Sequence, residues 1–409
     1  MNNIPLGWSC LQFKYAFKAV PFTTKIKQKE YALTGQYPII DQGEYFIGGY
    51  SDNNYGLITD IPVIAFGDHT RRFKYIDFPF IPGADGLKIY KPIYSETKFS
   101  FYQCLTLEFP NRGYARHNAL LQKCHFYLPP LEEQGRIVEK IEELFSDIDN
   151  GIKDLKTAQA QIKQYRQSVL KSAFEGKLYK TSEWKEVKLE DVCSKITDGS
   201  HFSPKSKIDG LYPYITVKDV KNDIIDFANS KRIDKDEYDL LVKSGCKPQL
   251  NDVLFSKDGT VGKVVLIKYN KEFVVLSSLA IIRPKQIIES KFLYYILKSP
   301  QFLIEATNKK VGVAIRRIIL ATLKKISVPL PTIPEQQQIV AEIEKRFLVA
   351  DELEKAVNEG LLQAEKLKQS ILKQAFAGKL VPQNPNDEPA AVLLERIKAA
   401  KENSTKGKK

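Results

Sequence analysis

The sequence predicts an α+β protein in which two β-rich domains are separated by two long antiparallel coiled-coil helices, in a pseudo-twofold arrangement. Three observations predict it. One block of the chain is written twice at a constant offset, that block carries a heptad pattern, and the segments between the copies are short strand-like runs punctuated by turn residues.

The repeat joins LPPLEEQGRIVEKIEELF at 128–145 to LPTIPEQQQIVAEIEKRF at 330–347, and QSVLKSAFEGKL at 167–178 to QSILKQAFAGKL at 369–380. The offset is 202 throughout, and 21 of the 51 positions from Leu128 to Leu178 are identical. Trp8 and Trp184 open W-x-x-apolar-x-apolar strings of their own. The order is therefore A, B, A′, B′. The expected domains are a first head over 1–127, a first helical spacer over 128–181, a second head over 182–329, a second spacer over 330–380, and a tail with a short helix over 381–409. By the residues quoted, the two heads resemble each other little.

The spacers read as rods. Ile141, Ile148, Leu155, Ile162 and Val169 recur every seven residues, with Leu144, Phe145, Ile152, Ala158 and Tyr165 between them. The second copy offers Ile343, Ala350, Val357, Ala364 and Ile371, supplemented by Phe347, Leu353, Leu361 and Leu367. Pro129-Pro130, Pro331 and Pro334 mark the starts, and Gly176 and Gly378 the stops. A helix of about 40 residues is roughly 60 Å long, and its single apolar seam needs a partner helix. The other copy is the economical partner.

The heads read as β-rich. In the first, YPIID (37–41), YFIGGY (45–50), IPVIAF (61–66) and FYQCLTLEF (101–109) are strand-like. In the second, LYPYITV (211–217), DVLFS (252–256), KVVLIKY (263–269) and FVVLSSLAIIRP (273–284) are strand-like, and FLYYILKSPQFLIEAT (292–307) has helical spacing.

With 62 Lys and Arg against 49 Asp and Glu, the chain carries a formal charge of +13 and a pI near 9.2, which favours an anionic partner. Candidate contacts with such a partner lie in polar turns. The first head offers His69, Thr70, Arg71, Arg72 and Lys74, with Arg116 and Asn118. The second offers Ser200, His201 and Lys205, then Lys257, Asp258, Thr260 and Lys263 in a glycine-bearing turn, and the pair Arg316 and Arg317. Lys, Arg and Thr suit phosphates, and paired arginines suit guanine edges. Ordinary hairpin turns and solvated surface explain any one cluster equally well.

No catalytic chemistry is legible. The glycine-rich cofactor loop and D/N-P-P-aromatic motif of adenine methylation are lacking; Asp77-Phe78-Pro79-Phe80 and Asn384-Pro385-Asn386 come nearest. The turn around Lys257 lacks the spacing of a nucleotide-binding P-loop, and the four histidines are not spaced as metal ligands. Glu186-Val187-Lys188 is the kind of Glu-x-Lys string that nucleases carry and charged chains produce by chance. The expectation is no catalytic residue and no metal. Five scattered cysteines without a C-x-x-C pair read as reduced thiols, and with an N-terminus unlike a signal peptide they suggest a cytoplasmic protein.

Two unlike heads, each followed by LPxxxEQxxIVxxIE and then SxLKxAFxGKL, resemble the specificity subunit of Type I restriction-modification systems. The resemblance covers nearly the whole chain, including the tail VPQNPNDEPAAVLLERIKAAK at 381–401. It implies that the heads are target-recognition domains, each reading one half of a bipartite double-stranded DNA target, with the helices fixing the gap. It also implies two methyltransferase subunits and restriction subunits as partners. S-adenosylmethionine, ATP and magnesium would be used by those partners, with no cofactor in this chain. A non-catalytic protein-binding scaffold with a coiled-coil spacer is the alternative.

Overall fold

Each tryptophan leads into a strand that folds back on the stretch before a long helix. Ser9–Gln12 runs antiparallel to His125–Leu128, with Ser9 opposite Leu128, and Lys185–Lys188 runs antiparallel to Ser327–Leu330, with Lys185 opposite Leu330. The structure, a computed structural model, describes residues 4–110, 115–180, 182–307 and 317–406. Contacts divide the chain into two units: Met1–Leu155 with Glu359–Lys409, and Lys156–Asn358.

The first long helix is Leu131–Phe174 and the second is Ile333–Ala375. Both stop by the same device. Gly176 and Gly378 adopt φ of +71° and +67°. Lys177 N donates to Ser172 O (2.8 Å) and Lys379 N to Gln374 O (2.9 Å), bonds that satisfy the last carbonyls where a Cβ-bearing residue would be strained. Each unit packs a piece of one helix on a piece of the other. In the first unit Ile141 joins Ile371, Leu372 and Ala375 in a core with Phe13, Phe66, Phe99 and Phe126. In the second, Val169, Leu170 and Ala173 join Ile339, Val340 and Ile343 in a core with Phe255, Phe292 and Phe302. Ile141, Val169, Ile343, Ala350, Val357 and Ile371 are buried, and Ile148, Leu155, Ile162 and Ala364 are half-buried. Tyr165, Leu353 and Leu367, expected to fill the seam, remain exposed at the margin of the helix contact.

The heads have one topology. A four-stranded sheet in the first runs in the order Phe17–Ala19, Leu87–Pro92, Val63–Gly67, Phe73–Ile76; in the second the order is Cys193–Asp198, Leu279–Pro284, Val253–Ser256, Val264–Leu266. A three-stranded sheet follows the same rule: Gly49–Ser51, Tyr37–Ile40, Ile81–Pro82 against Lys231–Ile233, Tyr212–Ile215, Val274–Val275. In each, the last pair is parallel and the rest antiparallel.

Two strand expectations hold in part: YFIGGY is strand only from Gly49, and FVVLSSLAIIRP is broken by a turn at Ser277–Ser278 into Val274–Val275 and Leu279–Pro284. One fails. FYQCLTLEF begins inside the helix Thr97–Cys104, whose buried Phe99, Gln103 and Cys104 recur at helical rather than alternating spacing. Its counterpart is Ser290–Lys298, and the two place matched side chains on the long helices. Phe99 meets Phe376 at 5.3 Å edge-on, and Phe292 meets Phe174 at 5.5 Å. Tyr102 meets Phe145 at 5.8 Å, and Tyr295 meets Phe347 at 5.8 Å. Lys98 pairs with Glu142 and Lys291 with Glu344. Burial beside Glu142 pushes the Tyr102 phenol up to about 12.

Gln134 and Gln336, both fully buried, close these junctions. Gln134 donates to Pro129 O (3.1 Å) and accepts from Glu96 N (3.2 Å). Gln336 donates to Pro331 O (2.9 Å) and Ile287 O (3.0 Å) and accepts from Glu289 N (2.7 Å). The tail helix Ala390–Lys406 completes the first unit: Ala390 and Leu394 enter its core, Ala390 N donates to Gly7 O, and Asp387 pairs with Arg136.

Candidate nucleic-acid interface

In the first head a tight turn joins Val63–Gly67 to Phe73–Ile76. Arg71 sits at φ +62° and donates its N–H to Gly67 O (2.7 Å), and a Cβ on Gly67 would lie 2.1 Å from Thr70 Oγ1. The turn leans on the segment after Ile40: His69 N donates to Gln42 Oε1 (3.1 Å) and Thr70 Oγ1 to Gln42 O (2.6 Å). Arg72 projects outward and pairs with Glu44 (3.2 Å), Arg71 is half-buried, and Arg116 is exposed. Buried Asp68 ties the turn to the neighbourhood of Arg116 by accepting from His117 N (2.8 Å) and Asn118 N (2.7 Å). Asn118 is held inside, its Oδ1 accepting from Tyr90 Oη at 2.5 Å.

Lys74 is buried, its ammonium donating to Asp41 O (2.7 Å) and Tyr45 O (2.6 Å) with the Asp41 carboxylate 3.8 Å away. Burial draws this ammonium below its ordinary value, Asp41 opposes that shift, and Arg72 adds to it.

The matching turn of the second head holds Lys257 at 1% exposure between Asp198 (3.1 Å) and Asp258 (3.6 Å). Each carboxylate reaches outward to an exposed side chain: Asp198 to the His201 ring (3.1 Å) and Asp258 to the Arg317 guanidinium (3.5 Å). A buried ammonium requires such partners, and the result is one polar chain from His201 through Lys257 to Arg317. Ile318 N donates to Lys257 O, as His117 N does to Asp68 O in the first head. Thr260 is exposed, and Lys263 donates to Val217 O (3.1 Å) and Val220 O (2.6 Å). Arg316 lies outside the described residues.

Ser200, whose hydroxyl is engaged with Phe202, lines a cleft of about 930 Å³ with His201 and Lys205. Lys218, Asn229 and Lys231 line it too, and sequence reasoning missed them because single polar residues on separate elements form no cluster in one dimension. The structure thus brings exposed Arg72 and Arg116 to the edge of the first head, and exposed Lys205, Lys218, Asn229 and Arg317 to that of the second, while Lys74, Lys257 and Lys263 point inward. Among the described residues no group of three His, Cys, Asp or Glu is placed to hold a metal ion. No helix among them is long and apolar enough to cross a membrane.

Two heads of one topology, each packed on a piece of both long helices within its own unit, define an α+β class of duplicated proteins. The family described as Type I restriction modification DNA specificity domain matches residues 21–157 and 181–363, well over half the chain, and this chain belongs to that family. It is similar to the Type I restriction enzyme EcoBI specificity subunit of Escherichia coli, at 32% identity over 309 residues, which are 68% of this chain and 65% of that protein. The EcoKI specificity subunit of Escherichia coli strain K12 is 29% identical over 302 residues, 66% of this chain and 63% of that protein. The matched regions span slightly less than two thirds of these relatives. A solved structure described as the structural basis of complex assembly and conformational transition of the type I R-M system shares the fold. Its TM-score is 0.64 at 21% identity, covering 92% of this chain and all of that one.

Proposed function

We propose that this chain is a sequence-specific DNA-binding subunit that recognises a bipartite target, one half-site per head, and directs partner methyltransferase and restriction subunits to it in the cytoplasm. The observation that carries the reading is the doubling. Two heads share a strand order but differ in the side chains at their edges, with His69, Arg71, Arg72 and Arg116 on one and His201, Lys205, Thr260 and Arg317 on the other. Exposed Lys and Arg would supply salt-sensitive affinity for phosphates, and the polar groups beside them would discriminate bases. Two half-sites multiply discrimination, since each mismatch costs about 1–3 kcal/mol.

The chain supplies address rather than turnover. S-adenosylmethionine, ATP and magnesium are assigned to the partners. Co-purification with a candidate methyltransferase subunit, then mapping of methylated adenines on random-sequence DNA, tests the reading. A split motif is expected. A stable complex without sequence-selective methylation would favour the protein-binding scaffold instead.

A further inference from the structure

Two lysines that the amino-acid pattern offers as phosphate contacts do the same internal work in both heads. Lys74 lies on Phe73–Ile76 and Lys263 directly precedes Val264–Leu266, the outer strand of the four-stranded sheet in each case. Each ammonium clamps two main-chain carbonyls, those of Asp41 and Tyr45 in the first head and of Val217 and Val220 in the second. The clamped segments are matched as well. Each follows the strand that pairs in parallel, Tyr37–Ile40 with Ile81–Pro82 and Tyr212–Ile215 with Val274–Val275. The match is one of task and not of register: Ser256 N donates to Lys263 O as Gly67 N does to Arg72 O, so Lys263 stands where Arg72 does and Lys74 lies two residues further along the strand, in F-K-Y against G-K-V.

The side chains between the clamped carbonyls belong to the exposed edges. In the first head Gln42 carries the Gly67–Arg72 turn and Glu44 pairs with Arg72. In the second, Lys218 lines the cleft with Lys231, and Asp219 folds back on Thr216 N (2.7 Å). An ammonium committed to two carbonyls spends two of its three donors on protein and is turned towards the main chain.

We propose that Lys74 and Lys263 are matched positioning residues, each holding one base-reading segment, Gln42–Glu44 in the first head and Lys218–Asp219 in the second, and so setting the preference of its own half-site without touching DNA. This rests on the DNA-reading function proposed above. It separates two behaviours. Losing a lysine that touches a phosphate weakens binding to all sequences and lowers the salt slope by about one. Losing a positioning lysine leaves the slope and flattens the sequence preference of one half-site.

The test uses the full chain with K74M and K263M, in which methionine keeps the length and removes the donors. Each protein is used to enrich a random-sequence duplex pool, and the enriched duplex and its half-site mismatches are titrated at several salt concentrations. K74M is expected to lose roughly tenfold of its preference at one half-site and K263M at the other, both with the wild-type salt slope. A slope lowered by about one with both preferences intact overturns the proposal, as does flattening of the same half-site by both variants or of neither. Should the methionine variants fail to fold, E44A and K218A give the same readout from exposed positions, each expected to alter only its own half-site. A wild-type chain that enriches no sequence overturns the DNA-reading function itself along with this proposal, whereas an altered slope overturns this proposal alone.

Discussion

The heads and the long helices are each built twice, but their copies keep different things. The helices keep residues: Gln134 and Gln336, Phe145 and Phe347, and Asp149 and Asp351 stand 202 apart and have matching partners. The heads keep a strand order while changing nearly every residue in it. The difference follows from what each contact demands. A sheet core asks for apolar volume on the right face, so Ile64 and Val253, or Phe66 and Phe255, sit in neighbourhoods that tolerate many substitutions. A buried amide that must meet a carbonyl and an N–H at once tolerates none.

The largest effect expected is on the target. Removing two heptads from both helices, roughly 21 Å of rise, should demand a shorter gap between half-sites while leaving the half-sites themselves unchanged. An unchanged gap preference would refute the division of labour between spacing helices and reading heads.

Cavity variants compare the two copies within their own units. Ile141→Ala and Ile343→Ala each remove a fully buried side chain at the same position of the repeat, and each should cost about 2–5 kcal/mol in denaturant unfolding. Costs that differ grossly between the two would show that the repeat has lost its energetic equivalence. Gln134→Leu and Gln336→Leu leave buried main-chain groups unpaired and should cost about 1–3 kcal/mol each. The loss should be larger for Gln336, which also serves Ile287 O.

Exposed pairs should matter less. Arg166 reaches Asp351 (2.6 Å) and Glu354 (2.9 Å) over the ring of Phe347, and Lys368 reaches Asp149 (2.5 Å) over the ring of Phe145. Arg166→Ala and Lys368→Ala should each cost at most about 1 kcal/mol, Arg166 the more, and both effects should shrink in high salt. The smallest effect is confined to acid. Lys221 and Asn229 hold the Asp226 carboxyl down to about 2, so its contribution is complete above pH 4 and is lost as pH falls through 3.8 towards 2. Asp226→Asn should melt below wild type near neutrality and converge with it at the acid end; a gap that persists below pH 2 would assign the effect to something other than ionisation.

Much of this was legible from one dimension. The spacers were readable because heptads, prolines and glycines act locally, and the glycine stops at Gly176 and Gly378 carry the left-handed backbone expected of them. Of the two junction helices, the second shows its helical spacing in FLYYILKSPQFLIEAT, whereas the first is legible only by comparison with it. ETKFSFY at 96–102 and ESKFLYY at 289–295 match in Glu, Lys, Phe and Tyr, yet their offset of 193 differs from that of the spacers, and the aromatic-rich stretch after the first resembles a strand. The fate of Lys74, Lys257 and Lys263 was not legible. Whether a turn lysine faces water or a carbonyl depends on segments distant in sequence, such as Asp41–Tyr45 for Lys74 and Val217–Val220 for Lys263.

The most direct test of the central claim is enrichment of a random-sequence duplex pool on the full chain, followed by sequencing of the bound fraction. The account predicts two short defined blocks separated by a gap of fixed length and no defined sequence. A single uninterrupted motif, or no enrichment at all, would contradict it.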